Sequence, residues 1–179
     1  MLNIPLKWGG LMGGAIVAIT LAVYLGSDGK LESTTLSLTT MLLFIFAMTK
    51  AALDTRSLMG GFISWWEATK PAWVTAIIIV IITGIFTYIL YNFIDPDLNE
   101  RMKEVAMETA EKMAGMFGEE AGEKMMEEME NQNFNFDLSK VFMSIAINGG
   151  IIGFLGAAII GAIVKRKGDG FEEDDLSVI

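Results

Sequence analysis

Residues 72–93 read AWVTAIIIVIITGIFTYILYNF, an isoleucine-rich run without a single charge, entered after Pro71 and left before Asp95-Pro96. A helix rises ~1.5 Å per residue and the hydrocarbon core of a bilayer is ~30 Å thick, so roughly 20 such residues cross it. This stretch therefore predicts a spanning helix and decides the fold class. Working outward, Trp8 to Leu25 (8–25) is a second uncharged run, closed by the turn signal Gly26-Ser27-Asp28-Gly29. Val141 to Val164 (141–164) is a third, closed by Lys165-Arg166-Lys167. A weaker run covers 35–53: its apolar centre, Met41 to Met48, is extended by Leu36, Leu38 and Leu53, with Lys50 placed to snorkel toward headgroups. The expectation is an all-α integral membrane protein with four transmembrane helices and an amphipathic extramembrane helix pair between spans three and four.

Composition agrees. The chain has 179 residues, 53% of them hydrophobic, a mean hydropathy of +0.48 and a net charge of −9. Histidine and cysteine are absent, which excludes disulfide scaffolds, Cys/His zinc sites and every catalytic scheme needing an imidazole or thiolate. An isoelectric point near 4.5 argues against nucleic acid as a partner. The first run lacks a basic leader beyond Lys7 and a small-residue cleavage site, so it reads as an uncleaved anchor.

Four spans put both termini on one side of the membrane. Lys7, Lys50, Arg56, Lys70, Lys165, Arg166 and Lys167 would share that side, mostly against helix ends, where positive charge sets orientation. The expected arrangement is a multi-pass protein of the bacterial inner membrane with cytoplasmic termini and a periplasmic 95–140 arm. Trp8, Trp65, Trp66 and Trp73 fall on the side of the termini, and Tyr24, Tyr88 and Tyr91 on the other, as two interfacial belts.

The arm, residues 95–140, holds 13 acids and five bases, so it carries −8 of the net −9. Asp95-Pro96 suits a helix start, and Asp97 with Glu100 an alternative capping box. Leu98, Met102, Val105, Thr109, Met113 and Met116 step by three and four, and Phe117, Ala121, Met125 and Met129 by four. Three readings stay open: an arm packed on itself or on the spans, a docking surface, or divalent-cation capture by Glu119, Glu120, Glu123, Glu127 and Glu128. Methionine is flexible and overused on adaptable binding faces, so Met102, Met113, Met116, Phe117, Met125 and Met129 are the docking candidates. The tail, residues 168–179, reads as a short acidic disordered end.

Two spans carry small residues four apart: Gly10, Gly14, Ala18 and Ala22 in the first, Gly149, Gly153, Ala157 and Gly161 in the last. Each set shares a helix face and lets another backbone approach, within the chain or from a partner. No carboxylate lies in a span core. Asn148, with Ser144, Thr83 and Thr87, is the candidate polar path, although such groups commonly bridge helices instead. No phosphate loop, metal-ligand pair or nucleophile elbow is present, so neither cofactor nor metal is expected.

Gly60-Gly61-Phe62-Ile63-Ser64 with Glu67-Ala68, a span ending Tyr88 to Asn92, and the turn Ile94-Asp95-Pro96-Asp97 together resemble domain-of-unknown-function family 4199, small membrane proteins of Bacteroidota. The acidic helix and the glycine-rich last span ending in Lys165-Arg166-Lys167 extend the resemblance over most of the chain. Trp65-Trp66 departs from its aromatic-plus-small-residue pattern. The resemblance implies a four-span inner-membrane protein of the cell envelope and no catalytic residues. The expected function is a non-catalytic accessory or scaffold protein, whose arm or glycine ridges engage a membrane or envelope protein or a second copy. The alternative is a small homo-oligomeric channel or transporter.

Overall fold

The computed structural model describes residues 2–26, 31, 34–117, 124, 127 and 136–166. Four of its helices are long and apolar enough to cross a membrane: Asn3–Gly26, Thr35–Leu58, Trp65–Ile94 and Leu138–Val164. In element order these are α1 (Asn3–Gly26), α2 (Thr34–Leu58), and α3 (Trp65–Ile89) running into a π-helical turn at Leu90–Ile94. Then come α4 (Leu98–Phe117), and a last span built of α5 (Leu138–Ser144), a π-helical segment (Ile145–Ile152) and α6 (Gly153–Val164). Of the expected extramembrane helix pair, α4 is the first member. The second falls outside the described residues.

Spans one, three and four start earlier than hydropathy places them, each for a local reason, while span two starts where expected. Pro5 sits in the first turn of α1, where its missing N–H has no helical partner to lose. Span three starts at Trp65 rather than after Pro71, so the proline lies inside the helix. A reciprocal cap fixes that start: the Ser64 N–H donates to Glu67 Oε2 at 2.9 Å, and the Glu67 N–H to Ser64 Oγ at 3.3 Å. Asp137 Oδ1 caps α5 by accepting from the Lys140 N–H at 3.0 Å and the Ser139 hydroxyl at 2.7 Å. The π turn ending span three is closed by the Asp95 N–H, which donates to Leu90 O at 2.8 Å.

The chain divides into two units. The first, Met1–Ile85 with Phe142–Ile179, contains most of all four spans. Its seams are made of alanine: Ala47, Ala51 and Ala52 of α2, Ala68, Ala72 and Ala76 of α3 and Ala157 of α6 are all fully buried. In lipid there is little hydrophobic gain between helices, so close packing of small residues holds spans together. Met48, Ile79, Ile160 and Val164 fill the space between those seams. The large apolar side chains Leu42, Ile85, Ile151, Leu155, Ile159 and Ile163 are exposed, as a surface facing lipid requires.

The second unit, Phe86–Val141, is held by two asparagines. Asn92 Nδ2 donates to Tyr88 O at 2.9 Å and to Phe136 O at 2.7 Å. Asn99 accepts from the Phe136 N–H at 3.1 Å and donates to Tyr91 O at 3.3 Å. Tyr91 and Phe136 add a ring contact at 5.5 Å, Arg101 pairs with Asp95, and Leu90, Leu98 and Ala110 are buried.

Candidate functional site

The glycines of the last span face α3. A Cβ at Gly149 would lie 3.5 Å from the Ile77 backbone, and one at Gly153 would lie 3.0 Å from Ala76 Cβ. At Gly161 it would overlap Thr69 Oγ1 and stand 3.0 Å from Trp65 O. Ala157 between them is fully buried. This whole stripe is thus occupied inside the chain.

The stripe of α1 is not. Gly14, Ala18 and Ala22 are exposed, Gly10 is half-buried, and a Cβ at Gly10 or Gly14 would meet nothing within 4 Å. The close approach is made one residue back. A Cβ at Gly9 would stand 2.7 Å from Ile78, and one at Gly13 would stand 3.0 Å from Ile82. Pro5, Gly9, Gly13 and Ile16 are the buried face.

A π-helical segment such as Ile145–Ile152 replaces the i to i−4 hydrogen-bond register by i to i−5. Trp73 adds a donor from outside that helix: its indole Nε1–H donates to Gly149 O and Gly150 O, both at 3.1 Å. Trp73 also packs edge-on against Phe154 at 5.3 Å. The same segment carries Asn148, which is exposed and donates through Nδ2 to Ser144 Oγ at 3.1 Å.

Asn148 and Ser144 line a cavity of about 430 Å³. Ser37 and Thr40 of α2 and Thr83 of α3 bring three hydroxyls to it, and Ile16, Phe44, Ile79, Val80 and Ile152 supply apolar wall. Three of the four expected polar residues, Asn148, Ser144 and Thr83, are therefore brought together. Thr87 belongs to the Phe86–Val141 unit. Ser37 and Thr40 were the partners that sequence reading missed; hydroxyls spaced along apolar runs were the available signal.

A second cavity, about 330 Å³, lies between the first residues of α1, the end of α2 and the start of α3, with Glu67, Lys70 and Thr55 among Leu2, Pro5, Met59, Pro71 and Val74. Near this end of the spans the charges are paired. The Trp8 indole donates to Asp54 Oδ2 at 2.7 Å, Lys50 Nζ stands 3.5 Å from Asp54 Oδ1, and the Lys7 and Lys50 ammoniums lie 5.3 and 5.4 Å from the Trp8 ring. Arg56 donates to Val164 O at 3.2 Å. The glycine lead-in to α3 is tied down too: Ile63 and Arg166 exchange two backbone hydrogen bonds of 3.0 Å.

Of the docking candidates, Met102 is half-buried on α4. Met113, Met116 and Phe117 belong to that helix, but their side chains lie outside the described residues, as do Met125, Met129 and the glutamates from Glu119 to Glu128 considered for cation capture, Glu127 apart.

A family model described as "Protein of unknown function (DUF4199)" matches residues 7–166. No curated protein and no solved structure matches the chain.

Proposed function

The chain belongs to the DUF4199 family of membrane proteins of unknown function, and from that premise we propose that it is a non-catalytic accessory or scaffold subunit, docking another inner-membrane protein through its first span. One observation carries the reading: Gly14, Ala18 and Ala22 form an exposed stripe of small residues on a helix whose opposite face already packs on α3. In a bilayer such a face attracts a second helix, because closeness of backbones replaces the missing hydrophobic drive. The termini lie in the cytoplasm and the acidic arm in the periplasm, in keeping with the basic residues at the helix ends. The arm then adds an acidic, Met-rich surface to the contact.

The test is cross-linking in native membranes, purification in mild detergent and measurement of particle mass. A stoichiometric membrane partner is expected, lost in Gly14→Leu while the variant stays monodisperse. A monomeric wild-type particle, or a complex unmoved by Gly14→Leu, overturns the reading.

The cavity around Asn148 and Thr83 favours a second reading, a small homo-oligomeric channel or transporter. Its mark is solute or ion flux in proteoliposomes that disappears with Asn148→Leu.

A further inference from the structure

The cavity of about 430 Å³ falls within the range of small-molecule sites and takes side chains from all four spans. Its lining contains no charged residue. Within a bilayer a charged ligand group buried there would lack a counter-charge, at a cost of several kcal/mol. The lining is nonetheless rich in hydrogen-bonding groups: Ser37, Thr40, Thr83, Ser144 and Asn148.

The amide of Asn148 is the pivot. It sits ten residues past Leu138, the start of the last span, or roughly 15 Å along it at ~1.5 Å per residue. It is exposed at that depth, and its bond to Ser144 uses one of the four that an amide can make. Unmet amide capacity is costly in hydrocarbon. Thr40 already donates its hydroxyl hydrogen to Ser37 O at 3.0 Å, which leaves its oxygen as an acceptor. The site therefore suits a ligand that is uncharged, mostly apolar and able to donate a hydrogen bond. Met41 and Ile152, at the margin of the cavity, are 52% and 55% exposed, on a surface that spans of this kind present to lipid.

From this geometry we infer that the cavity binds an uncharged membrane lipid with a free hydroxyl, of the diacylglycerol type, entering sideways from the bilayer. The hydroxyl donates to the Asn148 carbonyl oxygen, and one acyl chain lies along Ile16, Phe44 and Ile79.

The full chain in nanodiscs, with a photoactivatable diacylglycerol as probe, tests this. Cross-links mapped by mass spectrometry should fall in 37–44 and 144–152. Unlabelled diacylglycerol should compete and phosphatidylglycerol should not. Asn148→Leu should weaken labelling about five-fold, the factor carried by one hydrogen bond of ordinary net strength. Ile152→Trp should weaken it also, by filling the space with the polar lining intact, and it carries the test if Asn148→Leu misfolds. Labelling spread evenly over the spans, equal competition by phosphatidylglycerol, or indifference to both variants would overturn the assignment. So would flux of a hydrophilic solute that diacylglycerol leaves unblocked. Gly14→Leu, which tests partner docking, should leave labelling unchanged, so the two proposals fail separately.

Discussion

Trp73 donates its indole N–H to the carbonyl oxygen of Gly149 across 3.1 Å, and Gly150 O stands equally close. The donor lies where the last span leaves regular helical geometry, so one side chain of α3 ties the π-helical segment to its neighbour.

Trp73→Phe keeps an aromatic ring against Phe154 and removes the donor. Stability should fall by about 1–2 kcal/mol, the cost of a buried acceptor losing its partner. Unfolding by sodium dodecyl sulfate in mixed micelles measures it. Unchanged stability would mean that the π-helical segment needs no donor from α3.

The two glycine stripes should respond oppositely. Gly161→Ala forces a methyl into Thr69, and Gly9→Ala one into Ile78, so each should cost about 1–3 kcal/mol. Gly14→Ala meets open space and should be neutral, or stabilising by up to ~1 kcal/mol through helix propensity. The same micellar unfolding assay ranks them. A destabilising Gly14→Ala in the monomer would contradict the packing of α1.

Gly60 and Gly61 have φ of +77° and +93°, a region that costs other residues about 1–2 kcal/mol. Alanine at either position should loosen the lead-in to α3. Amide exchange at Ile63 and Arg166, which bond each other, should quicken before exchange elsewhere in α3 does.

Asp137 is held below its ordinary value of 3.8 by the hydrogen bond from the Ser139 side chain and then by that from the Lys140 N–H. A carboxylate with a depressed folded value adds stability that is present above the unfolded value and is lost as pH falls through the folded one. Protection of the Lys140 amide, corrected for intrinsic exchange, should therefore be steady above pH 5 and fall away below pH 3.8. Asp137→Asn should abolish that pH dependence. A wild-type profile identical to the variant's would remove Asp137 as the cap of α5.

Some of this was legible beforehand. Four spans followed from run length and apolarity, and the polar interval from its charge. The starts of the spans were less legible, because capping residues such as Ser64 and Asp137 lie outside the apolar runs and extend the helices into polar sequence. Pro71 looked like a boundary, yet the Ser64–Glu67 cap starts the helix before it. The alanine seam Ala68-Ala72-Ala76 has the same four-residue spacing as the glycines, but isoleucines around it dominate any hydropathy reading.

The amino-acid sequence by itself determined a four-span helical membrane protein, since three uncharged runs of that length, and a fourth charged only near its end at Lys50, match the thickness of a bilayer. It could not decide which face of α1 is taken. Gly9 with Gly13 and Gly10 with Gly14 are two stripes on neighbouring faces of one helix, each four residues apart and locally equivalent. Only the tertiary structure separates them, by setting Ile78 and Ile82 of α3 against the first pair and leaving the second open. The same holds for Asn148, Thr83 and Thr40: spans distant in sequence share a cavity only once small residues let them pack.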